Sequence, residues 1–357
     1  MKKILFAIST AVAMLTFSSC SDDNNNTPSI DTSLNTQVLS DFSANLALPV
    51  YTDLSASTAT LYSNVIALET GGATDDELAA ARTSWKTARA AYEQSEAFLF
   101  GPVSTDAIDP RIDTWPVNFV DLDAQLASNN AFTAEYIDNL EDALKGFHPI
   151  EYLLFGENGT KKAADLSTRD IEYLKGLSLN LKDLTADLSA SWDASANDSY
   201  YHTFQTAGSG SAVYSTQLAA FEELVNSMSG ICEEVANGKL AEPYTQKDAS
   251  LEESPFSSNS ITDFTNNIKG VQDVYLGKYS QDGKGLEDLV KKYNLQLDAT
   301  VKEKISAAIN ALGAITVPFG RAISEQPVQI QNAMDAINDL KDTIDGDLMT
   351  FVHLHVK

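Results

Sequence analysis

Cysteine and histidine are both scarce in this chain: two cysteines, Cys20 and Cys232, and four histidines in 357 residues. If Cys20 is taken up at the processed N-terminus, Cys232 has no partner for an internal disulfide, and stability must come from packing. Cys232 lies in an apolar helical pattern and reads as a small buried hydrophobe. The HExxH zinc-protease pattern is absent. His202 falls in a loop-like stretch, and His353 and His355, two apart in the C-terminal tail, cannot share one helical face. No third histidine is therefore at hand for a zinc hydrolase built on His148. Basic residues are also in deficit, with 24 Lys and Arg against 50 Asp and Glu and a formal net charge of −26. Such a chain repels nucleic acid and anionic lipid and attracts cations. Alternating strand runs and hairpin signals are missing as well, which leaves an all-α fold.

The N-terminus is a targeting segment. Lys2 and Lys3 precede an apolar run from Ile4 to Phe17, too short to span a bilayer, followed by Ser18-Ser19-Cys20. This resembles a bacterial lipoprotein signal: residues 1–19 are removed and Cys20 carries the lipid. The processed chain then has a charge of −28, because Lys2 and Lys3 leave with no acid. Residues 20–32 are polar, acidic and Asn-rich, the composition of a flexible tether. An acidic stretch straight after the cysteine also resembles the surface-export signal of some Bacteroidetes lipoproteins. The expected location is the cell envelope, as an outer-membrane lipoprotein facing the periplasm or the cell surface.

Beyond the tether, helical periodicity dominates. Leu34 to Leu68 reads as a long helix that Pro49 kinks or interrupts, with Gly71-Gly72 as its stop. Thr74 and Glu77 form a capping-box pair for a second helix running to about Phe98. Residues 101–131 carry no helical period and hold Trp115 in a long connection, a type of segment that is usually functional or packs over a domain face. A short helix is expected over 133–145 and a long one over 166–195, with Thr168 as cap. Residues 196–211 are loop-like and mark a domain boundary. Helices are expected again over 212–238, 258–280, 286–316 and 326–345. Four long helices in each half suggest two four-helix bundles, residues 33–198 and 199–357.

Chemistry concentrates at Gly146-Phe147-His148-Pro149-Ile150-Glu151. His148 and Glu151 stand three apart, which puts both on one side of a helix. Proline favours the first helical position, so Pro149 makes His148 the N-cap and Glu151 the third helical residue, where a carboxylate suits the dipole and reaches back to cap amides. On that reading both are structural. On the other, imidazole and carboxylate converge on a ligand or cation, and an oxygen-rich site with one imidazole suits iron, manganese or calcium. Glu93 and Glu96 lie near the end of their helix, against the dipole; Glu93 reads equally as solvated, whereas Glu96 sits before a Phe-rich ending that should be buried. Asp113 is either a turn residue or a third acid beside Trp115.

Taken together, three stretches resemble the imelysin-like family, formerly grouped as M75 peptidases. They are the GxHxxE signature from Gly146 to Glu151, the run Trp85…Arg89…Tyr92…Glu96-Ala97-Phe98-Leu99-Phe100-Gly101-Pro102, and Ile112-Asp113-Thr114-Trp115-Pro116, in the family's order. The resemblance implies two helical bundles with a polar site at their interface, in an exported protein of iron uptake. It implies that His148 and Glu151 hold a metal, iron or another divalent cation, and that Glu96, Asp113, Trp115 and Gly146 complete a ligand site for the ion or an iron-bearing ligand. A membrane transport protein is the implied partner besides the outer membrane itself. Two alternatives stay open: a metallopeptidase using His148 and Glu151, and a non-catalytic lipoprotein that docks a partner and uses the motif only as a helix start.

Overall fold

In the computed structural model, residues 32–69 and 72–357 are described. The proposed signal 1–19, the lipidation site Cys20 and all of the tether but Thr32 lie outside these residues, as does Gly71 of the expected helix stop. The described residues are mostly helical and contain no strand; one isolated bridge, Lys278 to Asp282, is their only β pairing.

Among the described residues, nine helices, numbered α1 to α9 below, frame the body, and shorter helical pieces connect them. The first, α1 (Thr32–Asp41), runs through a π-helical turn, Phe42–Ala47, straight into α2 (Leu48–Ala67). Pro49 thus interrupts the helix without ending it. A proline has no N–H to return to the carbonyl four residues back, and its ring crowds that carbonyl. The widened turn just before it relieves the clash, with Leu48 N–H bonding to Ser43 O, five residues back. Helix α3 (Asp75–Ser95) begins at the expected capping box: Thr74 Oγ1 accepts from Glu77 N, and Glu77 accepts from Thr74 N at 2.9 Å. A single 3₁₀ turn, Glu96–Phe98, finishes it. The motif helix α4 (Phe147–Phe155) is short, and α5 (Thr168–Ser191) is capped by Ser167 rather than Thr168. The second half supplies α6 (Gln217–Glu233), which continues through a π-helical segment, Glu234–Leu240, then α7 (Ser260–Leu276), α8 (Leu295–Gly313) and α9 (Pro327–Thr343). The connection over 101–131, expected to be irregular, contains short helices at Pro102–Thr105, Ile108–Asp113 and Phe119–Ala127. Each is too short to show a 3.6-residue period.

Helices α2, α3 and α5 pack together with α4 against α3 and α5, while α6, α7, α8 and α9 form a second group. The seam between the groups is α3 against α7. One apolar core runs through both, from Trp85, Tyr92 and Phe147 to Phe264, Val271 and Ile337. Gly270 makes the seam tight: a Cβ there would stand 2.2 Å from Gln94 O, so only glycine lets α7 lie this close to the end of α3. Two side chains of α3 fix the motif helix against it. Trp85 Nε1 donates to Phe147 O at 3.0 Å, and Arg82 donates from Nε and Nη2 to Leu154 O at 3.0 and 2.8 Å. The second places a cation on carbonyls that a helix C-terminus leaves without partners.

Candidate metal centre

The motif helix starts two residues earlier than its proline suggests. Gly146 is the N-cap, with φ 81° and ψ −156°, a region that only glycine enters readily. A Cβ at this position would meet Ile112 O at 2.2 Å, so the glycine also lets the 108–113 turn rest directly on the start of α4. The contact brings Asp113 beside His148. Pro149 falls on the third helical residue, where its missing N–H still has no intrahelical partner to lose.

Glu151 does not cap its own helix. Its Oε1 accepts from Ser257 N at 2.7 Å and from Ser257 Oγ at 2.6 Å, across the seam, and its Oε2 makes no hydrogen bond. His148 is buried. Its Nε2 stands 3.2 Å from Asp113 Oδ1 and its Nδ1 3.9 Å from Glu151 Oε2. The first contact lacks hydrogen-bond geometry and the second is too long, so neither ring nitrogen is hydrogen-bonded among the described residues. Burial depresses the imidazole pKa; Glu151 opposes this and Arg89 adds to it. Burial thus favours the neutral ring, the form that ligates metals.

Around it lie Glu93, Glu96, Asp113, Glu151, Glu253 and Asp263, all buried, against two buried cations, Arg89 and Lys239. Arg89 donates to Asp113 in a short contact and to Glu253 Oε1 at 2.9 Å, and it pairs by charge with Glu93 Oε1 at 2.6 Å. Lys239 Nζ lies 2.9 Å from Glu96 Oε2, 2.9 Å from Glu253 Oε1 and 5.6 Å from the centre of the Trp115 ring. Asn267 Nδ2 donates to Glu93 and Glu96 at 2.6 and 2.5 Å. Two cations cannot balance six ionised carboxylates in a low dielectric. The acids divide accordingly. Burial pushes the Glu93 carboxyl well up despite Arg89, and raises Asp263 to about 7. Burial would raise Glu253 too, but Lys239 and Arg89 hold it below its ordinary value.

Asp113, His148 and Glu253 each offer one ligand atom, and the three atoms lie within 4.8 Å of one another. One imidazole and two carboxylates suit iron or manganese. Beside this trio opens a cleft of about 30 Å³, lined by Trp115, Val117, His148, Glu253 and Phe256 among others. A water needs roughly 10–15 Å³, so the cleft has room for an ion with a water and is too small for a chelate. A larger groove, about 690 Å³ between α2 and α3, is lined by residues such as Ser57, Thr60, Thr83 and Thr87 and includes none of the residues around His148.

Of the six expected site residues, the structure brings the five that carry side chains together: Glu96, Asp113, Trp115, His148 and Glu151. Trp115 walls the cleft with its ring centre 6.2 Å from that of His148. Gly146 takes part through its backbone, and Glu151 stands outside the metal-competent trio. Glu93, whose solvated reading is overturned, is buried in the cluster. His202 bonds Ala194 O, and His353 lies 2.8 Å from Glu222, both at the surface. Sequence reasoning missed Lys239, Glu253, Ser257, Asp263 and Asn267, all from the second half of the chain, and gave Arg89 no role. A signal existed for two of them. Lys239 extends the apolar stripe Cys232, Val235, Ala236, Leu240, and Arg89 sits between Trp85, Ala88 and Tyr92. A charge on an apolar stripe must have buried partners.

The sequence profile of the imelysin (peptidase M75) family matches residues 47–345. Iron-regulated protein A of Synechococcus elongatus is 29% identical over 322 residues, covering 88% of this chain and 86% of that protein. A crystal structure described as an iron-regulated protein A precursor, from Parabacteroides distasonis, superposes with a TM-score of 0.81 at 26% identity, over 89% of this chain and 95% of that one. An imelysin-like protein from Psychrobacter arcticum shares the fold at 15% identity, with a TM-score of 0.73 over 91% and 97% of the two chains.

Proposed function

The chain belongs to the imelysin family, and from that premise we propose that it captures iron as a bare cation outside the cytoplasm, on Asp113, His148 and Glu253. The observation that carries this is the His148 ring, 2% exposed and without a hydrogen bond at either nitrogen, facing more carboxylates than Arg89 and Lys239 can neutralise. An imidazole left so in a buried site loses hydrogen bonds to water that a metal bond would replace. Glu151, locked by Ser257, stands on the Nδ1 side of the ring at 3.9 Å, and Nε2 faces Asp113. The small cleft favours the ion over an iron-bearing chelate, and it offers no room for a peptide backbone, which tells against the peptidase alternative. The docking alternative fares worse: it requires Glu151 to bond its own helix amides. Lipid attachment at Cys20 would hold the protein at the outer membrane, ready to pass iron to a transport partner. Anaerobic calorimetry with Fe(II) tests the site. The wild type should bind one equivalent, and His148→Ala should weaken binding at least tenfold. Equal affinity in the two would overturn the proposal.

A further inference from the structure

The two buried cations of the cluster differ in how firmly they are held. Arg89 is a planar fork fixed on three carboxylates from three parts of the chain, and it stacks against Phe147 at 5.3 Å from the ring centre. Lys239 is a point charge on a flexible four-carbon stem. Besides Glu96 and Glu253 it has Glu234 Oε1 at 3.5 Å, and the Glu234 side chain is 43% exposed. Both residues lie on the π-helical segment Glu234–Leu240, a distortion often found at functional sites. Glu253 is the residue that the lysine shares with the metal trio. Its Oε1 takes both Lys239 and Arg89, while its Oε2 is buried and makes no hydrogen bond.

We infer that Lys239 is a built-in competitor for the metal: its ammonium holds Glu253 until a divalent cation arrives, then swings toward Glu234 as the cation takes Glu253, His148 and Asp113. The inference rests on the proposed function of the same site, and it adds the residue that sets how tightly, and for which charge, the site binds. A monovalent ion brings no more charge than the ammonium it would replace and gains nothing by the exchange. A divalent ion brings one charge more to a cluster rich in carboxylates. Glu234 gives the displaced ammonium a carboxylate at the solvent edge, so the lysine need not be buried unpaired.

Calorimetry with Mn(II) alone, which needs no anaerobic handling, separates the possibilities in the full chain. Removing the competitor in Lys239→Met should tighten Mn(II) binding at least tenfold and enlarge the metal-induced rise in melting temperature, even though the metal-free variant melts lower. Glu234→Gln leaves every proposed ligand in place but takes away the landing carboxylate; it should weaken Mn(II) severalfold with little change in metal-free stability. If Lys239 is only a strut, Lys239→Met weakens Mn(II) binding and Glu234→Gln leaves it unchanged, and the inference is overturned. Should Lys239→Met fail to fold, an unchanged Mn(II) affinity in Glu234→Gln is sufficient to reject it. His148→Ala tells the two readings apart. Wild type and His148→Ala binding Mn(II) equally would reject the metal site and the competitor with it, whereas loss in His148→Ala without gain in Lys239→Met rejects the competitor alone.

Discussion

Gly146→Ala is the sharpest perturbation that the geometry offers. The added methyl would lie 2.2 Å from Ile112 O, 2.5 Å from its carbonyl carbon and 2.8 Å from its Cα, all backbone atoms that cannot rotate aside. The backbone region itself, φ 81° and ψ −156°, costs a residue with a Cβ about 1–3 kcal/mol. Relieving an overpacked contact costs about 1–3 kcal/mol more, so the variant should lose roughly 2–6 kcal/mol in chemical denaturation. The residue after Ile112 is Asp113, so the relief must pull Asp113 away from His148. Metal affinity should therefore fall together with stability. Gly230→Ala is the control: within α6 its Cβ would meet nothing inside 4 Å, and alanine is favoured over glycine in a helix by about 0.5–1 kcal/mol. The control should gain stability and keep its affinity. If Gly146→Ala unfolds at the same denaturant concentration as wild type and binds metal equally well, the account of how the 108–113 turn is docked on the motif helix is wrong.

Other perturbations follow from the same cluster and its surroundings. Arg89→Met removes the cation shared by Asp113, Glu93 and Glu253, and breaking such a buried network should cost about 3–5 kcal/mol in urea denaturation; a loss below 1 kcal/mol would show that the carboxylates need no counter-charge. Burial raises the Asp273 carboxyl to about 7, above its unfolded value. Its favourable contribution is therefore complete below about pH 4 and is lost as pH rises through 7. Asp273→Asn should thus melt increasingly above wild type between about pH 4 and 7 and by a constant margin above that, and parallel melting curves would contradict this. Thr74→Ala should cost about 0.5–2 kcal/mol by opening the capping box, with no change in metal affinity.

Much of the helical plan was open to reading because buried helices carry a 3.6-residue stripe and announce their ends. Thr74 and Glu77 are the clearest case. The short helices over 102–127 were hidden because four to nine residues cannot show a period. Pro149 misplaced the motif start because Gly146 reaches the N-cap through a backbone region that sequence spacing does not reveal. The site divides the same way. His148, Asp113 and Glu96 come from one half of the chain, with spacing or burial cues of their own. Glu253 and Ser257 lie in an irregular segment and gain their roles only when α7 folds onto α3, through the close approach that Gly270 permits. No local pattern encodes that contact.

The most direct test of the metal centre is anomalous diffraction from crystals loaded anaerobically with Fe(II), with data collected on both sides of the iron edge. One strong peak is expected at coordination distance, about 2.0–2.2 Å for nitrogen and carboxylate ligands, from His148 Nε2 and from carboxylate oxygens of Asp113 and Glu253. Iron bound elsewhere, with no peak beside His148, would contradict it.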